Sequence, residues 1–186
     1  LAQVFRFPTI ASLCEALDES PVLTTQSLVP LQEEGEGPAL FCLCGIQLYR
    51  PLVHGLSLDN PVFATYVPAT TPSSVEELSR EYLAGIRAQQ PHGPYRLLGF
   101  SLGGVLAFEI AQQLLAAGET VEQLVILDSD VPGEDRASAM KGVLREMRRA
   151  FNGADQDARA MPDYLRAIRD YRPARYPGPA IYVEAM

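Results

Sequence analysis

The stretch Gly99-Phe100-Ser101-Leu102-Gly103, followed by Gly104, constrains this chain more than any other. It joins Tyr95 to Phe100, an apolar run that reads as a strand, to Leu102 to Ala117, a long apolar run with helical spacing that Gly118 stops. The pattern is G-x-S-x-G in the strand-turn-helix context that the motif demands. A serine in such a turn projects clear of the backbone. Small residues two before and two after it let strand and helix approach without collision. A serine hydroxyl is a weak nucleophile until a base takes its proton, so it has to stand where base and substrate both reach it. The turn also aims the N-terminus of the helix at the reacting carbonyl, which makes the N–H of Leu102 a candidate oxyanion donor. Ser101 is the candidate nucleophile.

The rest of the chain reads as the sheet that this turn needs. Ala39 to Cys44 is a continuous apolar run, as in a buried strand, and Gly45 ends it. Residues 47–56 read as a helix with Leu48, Leu52, Val53 and Leu56 inward. Pro61 to Val67 reads as the next strand. Ser74, with Glu77 three residues on, forms a capping box for a helix carrying Val75, Leu78, Tyr82, Leu83 and Ile86 inward. Val121 to Leu127 is another buried strand, residues 131–172 are charged and helical, and Ala180 to Val183 is a last strand. Strands alternating with helices imply a mostly parallel sheet covered on both faces. Residues 21–38 read as a linker leading into, or containing, an edge strand. Before them, Thr9 caps a short helix with Ile10, Leu13, Cys14 and Leu17 on one face.

In chains with this turn the order is nucleophile, then Asp or Glu, then His. The strand after the serine helix ends at Asp128, at the carboxyl edge of the sheet, where ligands bind. Asp128 is the candidate acid, which would orient a histidine and stabilise its charged form. Asp130 is the rival. No histidine follows: His54 and His92 both precede Ser101 and lack the required order. The base is expected beyond Met186, and the chain, which begins with Leu, is expected to be part of a longer polypeptide.

Composition narrows the partners. A net charge of −8 argues against nucleic acid, which needs clustered Lys and Arg. No run approaches the ~20 apolar residues of a membrane span. The three cysteines, Cys14, Cys42 and Cys44, form no regular framework, which fits a reducing, cytoplasmic setting. No metal site is expected from two cysteines and two scattered histidines.

Residues 39–186 resemble the type I thioesterase domains that end modular nonribosomal peptide and polyketide synthases. The stretches that carry the resemblance are Gly93-Pro94-Tyr95-Arg96-Leu97-Leu98-Gly99-Phe100-Ser101-Leu102-Gly103-Gly104, then Ala107 to Leu114, then Leu124 to Ser129, and later Tyr171 to Pro179. The resemblance implies an α/β-hydrolase fold with a helical lid over 131–172 and a C-terminal part not included here. It implies Ser101 as acyl acceptor, Asp128 as acid, and lid residues Met140, Leu144, Met147 and Phe151 shaping the pocket. Residues 1–20 resemble the last helix of a carrier-protein domain, so the implied substrate is an acyl or peptidyl thioester on the phosphopantetheine of an upstream carrier domain. No cofactor is expected in this domain itself. The place after the first core strand, Cys44-Gly45-Ile46-Gln47-Leu48-Tyr49, is shorter than in the family and lacks its histidine. The second oxyanion donor expected there is the N–H of Ile46. Two other readings stay open: an acyl-carrier docking or scaffold domain without catalysis, and a stand-alone serine esterase or acyltransferase.

Overall fold

Strand β2 (Leu40–Leu43) lies beside β4 (Tyr95–Phe100) in the middle of a six-stranded sheet. The computed structural model describes residues 28–66, 73–129 and 161–184, the side chains of 161–165 excepted. The other strands are β1 (Leu28–Gln32), β3 (Val62–Thr65), β5 (Val121–Leu127) and β6 (Ile181–Val183), in the spatial order β1-β3-β2-β4-β5-β6. All pairs are parallel except β1 with β3. β1 is the antiparallel edge, with Pro30 at its centre, where a missing N–H does least harm.

Alternation along the strands builds the layers. Phe41, Leu43 and Leu97 join one buried cluster; their neighbours Cys42 and Leu98 join another. Helices α2 (Val75–Gln89) and α3 (Leu102–Ala116) cover the first face, and α1 (Ile46–Gly55) covers the second. Helix α3 buries residues nearly all round its first turns, as expected for a helix packed between sheet and α2. It ends where the sequence signals a stop. Gly118 takes φ 78°, its N–H reaches the Leu115 carbonyl, and the Glu119 N–H reaches that of Leu114, which together satisfy the last carbonyls.

Two expectations need adjustment. In α1 the inward residues are Tyr49 and Val53, whereas Leu48 and Leu56 are 45% and 47% exposed. The Leu48-Leu52-Leu56 and Tyr49-Val53 rows both repeat every four residues, so spacing alone does not choose between them. At α2, Ser74 Oγ accepts from the Glu77 N–H at 3.1 Å, but the Glu77 carboxylate takes the Ser73 hydroxyl, so only half of the capping box forms.

A fourth helix, α4 (Met161–Asp170), brings Ala167, Ile168 and then Tyr171 onto the α2–α3 core. There the Tyr171 hydroxyl donates to Glu109 at 2.6 Å, and Gln113 donates to the same carboxylate at 2.9 Å. A buried carboxylate is tolerated only with such donors. The helix expected before residue 18 and most of the lid region lie outside the described residues, and so do Met140, Leu144, Met147 and Phe151. Among the described residues no helix is long and apolar enough to cross a membrane.

Candidate active site

Three neighbouring strands, β2, β4 and β5, each pass directly into a non-glycine residue with positive φ: Cys44 at 61°, Ser101 at 52° and Asp128 at 42°. Such conformations cost on the order of 1–3 kcal/mol each and persist only where the surroundings enforce them. Here the enforcement is visible. The Cys44 N–H donates to Thr65 Oγ1 at 2.8 Å, the Ser101 N–H to the Leu127 carbonyl at 3.0 Å, and the Asp128 N–H to the Val183 carbonyl at 2.7 Å. Each turn is pinned to the last residue of the next strand outward.

The glycines around Ser101 are demanded by space. A methyl group on Gly99 would collide with the Gly103 carbonyl, and one on Gly103 with the Leu43 carbonyl. Strand β4, the first turn of α3 and the end of β2 therefore touch backbone to backbone. Ser101 stands at this junction, 9% exposed, as the residue before α3. Its carbonyl accepts from Gly104 and Val105, while no described residue accepts the N–H of Leu102.

The short segment after β2 behaves similarly. Thr65 takes the N–H of Cys44 through its hydroxyl and that of Gly45 through its carbonyl, at 2.8 and 3.0 Å. Ile46 opens α1, and no described residue accepts its N–H. The sheet thus brings to one edge Ser101, Asp128 and two helix starts with unengaged N–H groups, the feature that favours developing negative charge.

Asp128 is half-buried, and no described residue donates to its carboxylate. Asp130 lies outside the described residues. Next to Asp128, the Ser129 hydroxyl is buried without a partner among the described residues and packs against Gly104. The histidines are elsewhere. His54 is exposed in the last turn of α1, and His92 is exposed at the opposite end of β4, 3.4 Å from Glu119. Burial pushes the thiols of Cys42 and Cys44 up to about 12, which keeps them protonated and poor nucleophiles at neutral pH. Among the described residues no group of three or more His, Cys, Asp or Glu is placed to hold a metal ion.

Two residues that sequence reasoning passed over belong to this edge. Thr65 supplies the pin for Cys44, and Tyr49 links β2 to β4: its hydroxyl donates to the Leu43 carbonyl at 2.6 Å and accepts from the Phe100 N–H at 3.0 Å. The available signals are a strand-terminal threonine and a tyrosine in an otherwise aliphatic helix row.

Comparison with known proteins agrees with this geometry. The family model described as "Thioesterase domain" matches residues 40–176. Malpibaldin synthetase of Mortierella alpina is 36% identical over 69% of this chain, and enterobactin synthase component F of Escherichia coli O157:H7 is 35% identical over 70%. The chain spans 2% and 11% of these two relatives. Among solved structures, the NocB thioesterase domain in covalent complex with a fluorophosphonate nocardicin G analog has TM-score 0.68 and 26% identity, over 85% of this chain and 77% of that one. With a matching family model over most of its length and a mostly parallel sheet carrying this turn, the chain belongs to the thioesterase domain family, with an α/β-hydrolase fold.

Proposed function

We propose that this domain is a serine thioesterase that takes an acyl or peptidyl chain from a carrier-bound thioester onto Ser101 and then releases it. The observation that carries this reading is Ser101 itself, held at φ 52° between two carbonyl-tight glycines, with the open N–H of Leu102 beside it. Strain of this kind in a residue with a reactive hydroxyl is what a nucleophile requires and what a structural serine does not.

In the proposed path Ser101 Oγ attacks the thioester carbonyl while a base takes its proton. The carbonyl oxygen becomes an oxyanion, received by the N–H groups of Leu102 and Ile46. The C–S bond breaks, the thiolate leaves, and the proton passes to it. An ester to Ser101 remains. Water then opens it to an acid, or a hydroxyl or amine of the chain opens it to a ring. Asp128 orients the base as an imidazole and stabilises its charged form. Because both histidines at hand are exposed and precede Ser101, the reading calls for a histidine from outside residues 1–186. Residues 1–20 are proposed as the end of the carrier domain, 21–38 as a linker that contains the edge strand β1, and 131–172 as the lid, where Met140, Leu144, Met147 and Phe151 line the pocket.

The test is intact mass of the full-length protein after exposure to acyl thioester mimics, beside Ser101→Ala. The expected result is an acyl adduct in the first and none in the second. An adduct that survives Ser101→Ala removes Ser101 from the mechanism. No adduct in either, across several acyl groups, favours the docking or scaffold reading, which the lack of a histidine near Ser101 would then explain.

A further inference from the structure

The parallel ladder between β2 and β4 ends at the Leu43–Gly99 pair. One step further the strands part, β2 into the Cys44-Gly45-Ile46 segment and β4 into the Ser101 turn. The Tyr49 hydroxyl occupies that step. It is 1% exposed and bonds both sides, to the Leu43 carbonyl at 2.6 Å and the Phe100 N–H at 3.0 Å. It also lies against the serine helix, since a methyl group on Gly103 would come within 3.1 Å of it. One oxygen atom therefore touches the end of β2, the residue before Ser101 and the first turn of α3. Burial holds the phenol well above its usual pKa, so at neutral pH it keeps the proton that it donates to Leu43.

We propose that Tyr49 is a positioning residue for acyl transfer, its hydroxyl fixing the gap between the segment that presents the Ile46 N–H and the turn that presents Ser101 and the Leu102 N–H. The inference rests on the reading of Ser101 as nucleophile. An oxyanion site made from two separate segments works only while their spacing is held, and a displacement of about 1 Å is enough to cost about 100-fold in rate. The bond from Tyr49 does not touch substrate. It acts in the transition state, when both donors have to meet one oxygen.

A control is built into the same strand. Tyr95 is 0% exposed at the other end of β4, and its hydroxyl donates to the Gln90 carbonyl at 3.0 Å. Tyr49→Phe and Tyr95→Phe each remove one hydroxyl from a buried tyrosine, so both lose stability, but only the first frees the gap. The experiment uses the full-length protein, an alkyl fluorophosphonate as serine probe, and a small acyl thioester for kcat and KM. For Tyr49→Phe, labelling and kcat should fall by about 10- to 100-fold with KM within about twofold, and Tyr95→Phe should label within about twofold of wild type. A second variant covers the case in which Tyr49→Phe does not fold: the ester made by placing phenyllactate at position 100 removes the Phe100 N–H, weakens the Gly99 carbonyl as an acceptor, and keeps every side chain. It should slow labelling as well. Wild-type labelling that depends on Ser101, together with equal rates for the Tyr49 and Tyr95 variants or an unslowed ester, overturns this inference alone. Wild type that labels no faster than Ser101→Ala overturns it together with the reading on which it rests.

Discussion

The two ends of the sheet handle backbone strain differently. At the amino end the positive φ after α3 falls on a glycine, Gly118, and the donors around it are paired: the Gly93 N–H with Glu119 at 2.9 Å and the Tyr95 N–H with the Thr120 carbonyl at 2.8 Å. At the carboxyl end positive φ falls not only on a glycine, Gly45, but on three residues with side chains, Cys44, Ser101 and Asp128, and the N–H groups of Leu102 and Ile46 have no acceptor among the described residues. Glycine would suit those three positions better on backbone grounds alone. Side chains are kept where they cost stability, which is the mark of an edge selected for something besides folding.

The strongest way to break this contrast is Gly103→Ala. The added methyl meets the Leu43 carbonyl, a backbone atom that is fixed by the sheet, so about 3 kcal/mol of stability and nearly all acyl transfer should be lost. A urea melt close to wild type would mean that the junction yields and the contact is loose. A sharper test sets Ser101→Gly beside Gly118→Ala. The first relieves strain and should raise stability by about 1 kcal/mol while ending acylation; the second imposes strain and should lower it by about 1 kcal/mol with acylation intact. Equal signs in the two melts would show that the ends do not differ. The smallest effect is expected at Glu119, which is half-buried beside the Gly93 turn. The Gly93 N–H, more than the nearby His92, holds its carboxyl below the usual carboxylate range. Its contribution is present above the unfolded pKa and fades as pH falls through the lowered folded value. Urea midpoints of wild type and Glu119→Gln should therefore differ slightly at neutral pH and coincide in strong acid.

The sequence revealed this edge unevenly, for physical reasons. The Ser101 turn was legible because its requirements are local: small residues at fixed offsets between a strand and a helix of clear period. Asp128 was legible for a similar reason, standing at the end of a strand whose limits, Val121 and Leu127, match the apolar run. The inward face of α1 was not, because Tyr49 is chosen by a hydroxyl that finds partners on two strands, Leu43 and Phe100, and only the assembled sheet brings these together. Thr65 escaped notice likewise, since nothing in Val-Phe-Ala-Thr says that its hydroxyl will receive an N–H from a residue 21 positions earlier. The antiparallel course of β1 depends on pairing with β3, again a long-range matter.

The pins on the three turns have a consequence for how such a domain diversifies. For Ser101 and Asp128 the acceptor is a backbone carbonyl, of Leu127 and Val183, which any residue at those places supplies. For Cys44 it is the hydroxyl of Thr65, which few residues replace. Ser101 and Asp128 are thus anchored in a way indifferent to the identity of their neighbours, and β5 and β6 are free to change composition over generations without moving them. The Cys44 turn enjoys no such freedom. Drift in this lineage should leave its trace on the first and spare the second, with Thr65 giving way only to serine.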